Sequence, residues 1–194
     1  MPHIHAWGRG ALMAETIQAW DFSVLQWIRN VFGSDGMDWW MPKITLLGDK
    51  GLLWIALTLL CLALPARRRC GTAMAGGLLA GLLLGNGLLK HRACRARPCW
   101  LREVPMLIAV PQDYSFPSCH TLSSFCAATV LLYYDRRLGI PAMVAAVLVA
   151  FSRLYLYVHF PTDVLAGMLL GIGLGIASIL VNEAVWHRRE GAPE

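Results

Sequence analysis

The sequence predicts an all-α integral membrane protein: a helical bundle of about five transmembrane helices, preceded by an amphipathic helix lying in the membrane interface. Two observations carry this. Of 194 residues, 57% are hydrophobic and only 15% are charged, whereas an ordinary soluble domain is about a quarter charged. The apolar residues also fall in blocks long enough to cross a bilayer, which takes about 20 helical residues. A disordered chain and a disulfide-stapled miniprotein are excluded on the same grounds. The net charge of +5 comes without a long basic run, so it reads as contacts to a membrane surface and to anions, with no nucleic-acid partner.

Residues 1–43 form the N-terminal interfacial segment. Met1 to Gly10 carries two histidines and an arginine and does not resemble a secretory signal. From Ala14 to Phe32, Trp20, Val24, Trp27, Ile28 and Val31 recur at helical spacing beside Glu15, Asp21 and Arg29. Asp21 and Arg29 would be costly in hydrocarbon, which favours a helix in the interface over an extra span.

Residues 44–186 form the membrane-embedded domain, and residues 187–194 a cytoplasmic tail. The crossings are expected over about 44–65, 71–89, 118–134, 140–158 and 163–186, the third being short unless its start is sunk below the membrane surface. Trp39 and Trp40 suit an aromatic belt ahead of the first. Gly77, Gly81 and Gly85, and again Gly167, Gly171 and Gly175, recur every fourth residue. That spacing lets helix backbones approach closely within a bundle, and neither run follows a strand as a nucleotide-binding loop does. Arg67 to Arg69, Arg136 with Arg137, and Arg188 with Arg189 fall on one side of this topology, which the positive-inside tendency makes cytoplasmic. The long loop from Lys90 to Pro117 then lies outside, and its basic residues call for an anionic ligand.

Three polar clusters stand out: Lys90 to Pro98 after the second crossing, Pro117-Ser118-Cys119-His120 at the start of the third, and Ser152-Arg153, His159 and Asp163 around the junction of the fourth and fifth. The topology puts all three at one membrane face. Together they supply the cations Lys90, Arg97 and Arg153, whose guanidinium forks suit paired phosphate oxygens. Ser118 begins a helix, where its hydroxyl and the following amides offer donors to an anion. Asp163 lies about one helical turn after His159, so it can orient that imidazole through one ring nitrogen and leave the other free to attack. This is the chemistry of phosphoryl transfer.

The pattern of Lys90, six residues, then Arg97-Pro98; Pro117-Ser118-x-His120; and Ser152-Arg153, five residues, His159, three residues, Asp163 resembles the type 2 phosphatidic acid phosphatase family. The resemblance covers roughly residues 47–175. It implies that His159 is the nucleophile that forms a phosphohistidine, that Asp163 holds it, and that His120 protonates the leaving oxygen and later activates water. It further implies that Lys90, Arg97, Ser118 and Arg153 bind the phosphate, with the amide of Cys119 beside them, and that no metal or other cofactor takes part. The expected activity is a lipid-phosphate phosphatase at the extracytoplasmic face of the cell membrane. Undecaprenyl diphosphate is the favoured substrate, with phosphatidic acid and phosphatidylglycerol phosphate close behind. The alternative is a catalytically silent phospholipid-binding or transport relative.

Cys119 departs from the family, which has glycine there; a negative φ would accommodate the side chain, whereas left-handed geometry would loosen the site. Arg92, Arg95 and Arg102 read as contacts to anionic lipid head groups. Cys94 and Cys99 are spaced for a small disulfide loop, and Cys61, Cys70 and Cys126 read as packing. Asp49 and Lys50 leave open an interfacial role and a place in the site.

Overall fold

The structure is a computed structural model that describes the backbone of residues 4–190 and the side chains of residues 15–188. Over those residues every regular element is helical. Helices α1 (Ile4–Phe32), α2 (Asp35–Leu46) and α3 (Leu52–Ala63) are followed by α4 (Arg68–Gly81), which runs through a π-helical stretch, Leu82–Leu89, into the short α5 (Lys90–Ala93). A second short helix, α6 (Pro98–Leu101), precedes a long irregular loop, and α7 (Cys119–Tyr134), α8 (Arg136–Tyr155) and α9 (Pro161–Glu190) complete the chain.

Among the described residues, four helical stretches are long and apolar enough to cross a membrane: Asp35–Ala63, Pro65–Leu101, Arg136–Tyr155 and Pro161–Arg188. The first starts earlier than the sequence predicts because Ser34 caps α2, its hydroxyl accepting from the Met37 amide at 3.3 Å. It then breaks in the middle, where Lys50 and Gly51 both have left-handed φ, 49° and 69°. The remaining expected crossing is α7. Its 16 residues span about 24 Å at helical rise, shorter than a bilayer's hydrocarbon core.

Helix α7 sits at the centre, enclosed by α4, α8 and α9. Its core side chains Phe125, Val130 and Leu131 pack with Trp54, Met74 and Ala146, and the indole of Trp54 donates to the Ser124 hydroxyl at 2.9 Å. Glycine explains the close approach of α9. A Cβ at Gly171 would lie 2.4 Å from the Leu122 carbonyl oxygen, and one at Gly167 would lie 2.6 Å from that of Ser118. The glycine runs therefore serve packing inside the bundle.

The two ends of α7 differ. At its C-terminal end Arg67 pairs with Asp135 at 2.9 Å, Arg69 reaches Glu183 at 3.8 Å, and the Tyr134 hydroxyl donates to Glu183. Its N-terminal end meets the second and third polar clusters. Helix α1 lies against that end: Phe22 and Leu25 pack on Tyr157 and Phe160, and Ile28 packs with Tyr155 and Leu156. Trp20 and Trp27 point outward, but Asp21 is fully buried. The charge that argued for an interfacial position is paired inside the protein.

Candidate active site

Three backbone devices bring the polar clusters together. The π-helical stretch ends at Lys90, and α5 stops at Cys94, whose φ of 43° is left-handed. The chain from Arg95 to Arg97 is then extended into Pro98, the first residue of α6. Alternation along an extended chain sends Arg95 and Arg97 to the same side. At the end of α8, the Val158 amide bonds the Arg153 carbonyl at 3.2 Å and the Tyr157 amide bonds that of Leu154 at 3.0 Å. This is a Schellman cap, with Tyr157 at φ 61° where glycine is usual. The cap turns His159 back over Arg153. The third device is the Ser118 amide, which donates to the Asp163 carbonyl at 3.2 Å and ties the start of α7 to α9.

His159 is buried, and its two ring nitrogens have different partners. Arg97 places Nη1 3.0 Å from Nε2; a guanidinium only donates, so Nε2 is the acceptor and the proton belongs on Nδ1. Nδ1 faces the Ser115 hydroxyl at 3.5 Å and Asp163 Oδ2 at 3.8 Å. The second distance is too long for the direct hydrogen bond that the i, i+4 spacing predicts. Ser115 stands between, donating to Asp163 Oδ2 at 2.5 Å. Burial, then the charges of Arg97, Arg153 and Lys90, hold the His159 imidazolium pKa well below its ordinary value, so the ring is neutral at neutral pH.

The three predicted cations are all buried. Lys90 pairs with Asp113 Oδ2, and Arg97 pairs with Asp113 Oδ1 at 2.7 Å while also donating to the Val158 carbonyl at 2.7 Å. Burial raises the Asp113 carboxyl, but hydrogen bonding and charge from Lys90 and Arg97 outweigh it and bring the pKa down to about 2. Arg153 donates from Nη1 to the Thr45 hydroxyl at 2.6 Å, and its buried Nε has no partner among the described residues.

Lys90, Arg97, Arg153, Cys119, His120 and His159 line one cavity of about 810 Å³, together with Asp49, Lys50 and Asp113. The two imidazoles thus face a common space. Asp49 Oδ1 lies 3.8 Å from His120 Nε2, which places Asp49 in the site. The other wall is apolar: Leu46 and Ile55 on one helical arm, Leu79 and Leu82 on the next, all largely exposed. Ser118 stays out of the cavity lining, its hydroxyl 2.9 Å from that of Thr121. Cys119 and His120, the first two residues of α7, line it instead, and the first-turn amides have no acceptor inside the helix. Cys119 is helical and absent from the left-handed residues, so its side chain is accommodated; its thiol rests 3.6 Å from Asn86 Oδ1.

Several residues differ from the sequence reading. Arg95 is half-buried behind the site and not a head-group contact: it donates to Asp163 Oδ1 at 2.6 Å and to Asp21 Oδ2 at 2.6 Å. Arg102 stacks on the Phe22 ring at 3.8 Å. Cys94 and Cys99 are separate thiols, whereas Cys61, Cys70 and Cys126 are buried, in keeping with their reading as packing residues. Asp113, Ser115, Asp21 and Thr45 escaped sequence reasoning. Of these, Asp21 shows in the sequence only as a charge costly in hydrocarbon, and nothing local marks its partner. Among the described residues, no group of His, Cys, Asp and Glu is arranged to hold a metal ion.

The end of this apolar helical bundle gathers a buried imidazole, three cations and a helix N-terminus, a set with the charge and donors to hold an oxyanion. The chain belongs to the PAP2 superfamily, which residues 70–186 match; all three polar clusters fall inside that stretch. It is 34% identical over 132 residues to an undecaprenyl-diphosphatase of Sulfolobus acidocaldarius, covering 67% of this chain but 64% of that protein, just under two thirds of its length. It is also 34% identical over 130 residues to a decaprenylphosphoryl-5-phosphoribose phosphatase of Mycobacterium tuberculosis, covering 66% of this chain and 71% of that one. The crystal structure of a transmembrane PAP2-type phosphatidylglycerolphosphate phosphatase from Bacillus subtilis superposes with a TM-score of 0.75 at 27% identity, over 91% of this chain and 90% of that one. That of Aquifex aeolicus LpxE gives 0.72 at 27% identity, over 81% and 93%.

Proposed function

We propose that the protein is a lipid-phosphate phosphatase that works through a phosphohistidine on His159. The observation that carries this is the asymmetry of the His159 ring: Nε2 accepts and faces the cations, while Nδ1 faces Ser115 and Asp163. An acceptor nitrogen pointed at an anion-binding cavity is a nucleophile in place.

In the first step the Nε2 lone pair forms a bond to phosphorus. The P–O bond to the lipid breaks, and its electron pair leaves with the oxygen, which takes a proton from His120. In the second, His120 accepts a proton from water as that water attacks phosphorus. The N–P bond then breaks and inorganic phosphate leaves. Lys90, Arg97, Arg153 and the first-turn amides of α7 balance charge on the equatorial oxygens, and Ser118 acts by fixing that turn to α9 through its amide. The unpartnered Nε of Arg153 is a donor for such an oxygen. A cavity lined by three cations disfavours a divalent metal beside the phosphate, so the reaction is read as metal-independent.

The leucine-lined wall between the two helical arms admits the lipid chain from the side, and the cationic end takes its head group. Undecaprenyl diphosphate is the favoured substrate, supported by the named activity of the Sulfolobus relative; phosphatidylglycerol phosphate and phosphatidic acid fit the same chemistry. The site lies at the end of α7 away from Arg67, Arg69 and Arg137, which the positive-inside tendency makes the extracytoplasmic face of the cell membrane. The test is phosphate release by detergent-solubilised protein from each of the three lipids, with and without a chelator. Release that persists under chelation, with undecaprenyl diphosphate giving the highest kcat/KM, is expected; lipid binding without release would instead favour a silent relative.

A further inference from the structure

Asp163 Oδ1 is held by Arg95, and Arg95 Nη2 goes on to Asp21 Oδ2, 2.6 Å away on α1. Asp21 has further donors in Thr162, whose amide lies 3.0 Å from Oδ1 and whose hydroxyl lies 2.7 Å from Oδ2. Both carboxylates are fully buried, and the guanidinium between them stacks on Phe160 at 4.2 Å. This chain of contacts reaches outside residues 70–186, the part that matches the family, into the N-terminal helix.

Charge counting gives the pair a purpose. Arg95 alone would cancel the charge of Asp163, leaving nothing to balance an imidazole that becomes cationic once phosphorus is bonded to Nε2 and a proton stays on Nδ1. Asp21 restores one net negative charge to the group of three. In an interior of low polarisability that charge acts strongly on a ring a few ångströms away. We infer that Asp21 and Arg95 are positioning residues, which fix the Asp163 carboxylate and set the net charge behind His159, so that α1 is part of the catalytic unit. This rests on the phosphatase reading above.

The test compares D21N, D21E and the double variant D21N/R95Q with the unaltered protein, all full-length in detergent, on undecaprenyl diphosphate. D21N leaves Arg95 to neutralise Asp163. Its kcat should fall about 10- to 100-fold, the range seen when outer-layer partners of a reacting group are removed, with KM changed less than about twofold. D21E keeps the charge and should recover part of the loss. D21N/R95Q removes one charge of each sign and leaves Asp163 as the single net negative. Its kcat should exceed that of D21N at equal folded fraction, a recovery in rate that a pair acting only on stability would not show. A D21N variant as fast as the unaltered protein would overturn the inference, as would a double variant slower than D21N. If D21N does not fold, the double variant is read alone against the unaltered protein, with kcat within about tenfold supporting the inference and a larger loss overturning it. Failure of both to fold makes the pair structural and overturns it too. No phosphate release by the unaltered protein would overturn the phosphatase reading itself, and this inference with it.

Discussion

The Ser115 hydroxyl lies between His159 and Asp163, 3.5 Å from Nδ1 of the first and 2.5 Å from Oδ2 of the second. The carboxylate and the imidazole, 3.8 Å apart, are therefore coupled through an oxygen that can accept from Nδ1–H while donating to Oδ2. The hydroxyl holds the proton on Nδ1, and that leaves Nε2 unprotonated, the acceptor for Arg97 Nη1 at 3.0 Å.

Replacing Ser115 with alanine removes this relay without altering charge. The expected result is a kcat lower by about 10-fold or more, with KM nearly unchanged, because the hydroxyl touches the ring and not the phosphate. Steady-state kinetics on one lipid substrate measure both quantities, and an equal rise in KM would assign Ser115 to binding.

On the proposed mechanism His120 donates a proton to the leaving oxygen, so its importance depends on how much that oxygen needs one. For H120N, kcat on a lipid alcohol phosphate should drop about 10²- to 10⁴-fold, the usual value of a positioned acid. An aryl phosphate, whose leaving group departs without help, should lose far less. Comparable losses on both would remove His120 from the acid role.

Asp113 holds Lys90 and Arg97, and on the proposed mechanism an incoming phosphate replaces its carboxylate there. Its side chain is 53% exposed, and such pairs contribute up to about 1 kcal/mol. D113N should therefore tighten inhibition by inorganic phosphate, by up to about fivefold. The folded carboxyl, at about 2, lies below its ordinary 3.8, so ionised Asp113 stabilises the fold above pH ~4 and that contribution is lost as pH falls toward 2. Melting curves in detergent should show D113N losing less stability than the unaltered protein across that interval.

The packing of α9 on α7 makes a separate prediction. A Cβ at Gly171 meets the Leu122 carbonyl oxygen at 2.4 Å, and backbone cannot rotate away, whereas one at Gly173 meets nothing within 4 Å. Gly171→Ala should cost about 1–3 kcal/mol, seen as a lower Tm. Gly173→Ala should leave Tm unchanged or raise it, since alanine favours helix.

Much of this was legible in the sequence because it is periodic or clustered. The apolar blocks marked the helices, the glycine spacing marked close packing within the bundle without naming the partner helix, and the basic and histidine clusters converge because crossing twice returns the chain to one face. What the sequence hides is pairing across distance. Asp21 and Arg95 are 74 residues apart, and nothing local marks a carboxylate as partnered, so Asp21 looks like a surface charge. Asp113 and Ser115 sit in a loop without repeat, where only the fold reveals that they face Lys90 and His159. The left-handed turn at Lys50 and Gly51 and the π-helical stretch before Lys90 are dihedral choices that hydrophobic patterning does not register.

The central claim is that His159 Nε2 takes the phosphoryl group. Rapid quenching during turnover of undecaprenyl diphosphate carrying radioactive phosphorus in its terminal phosphate tests it most directly. The account predicts a labelled protein whose phosphate is lost in acid and retained in alkali, as a phosphorus–nitrogen bond requires, and whose label disappears in H159Q. Turnover without any labelled protein, or label that persists in H159Q, would contradict it.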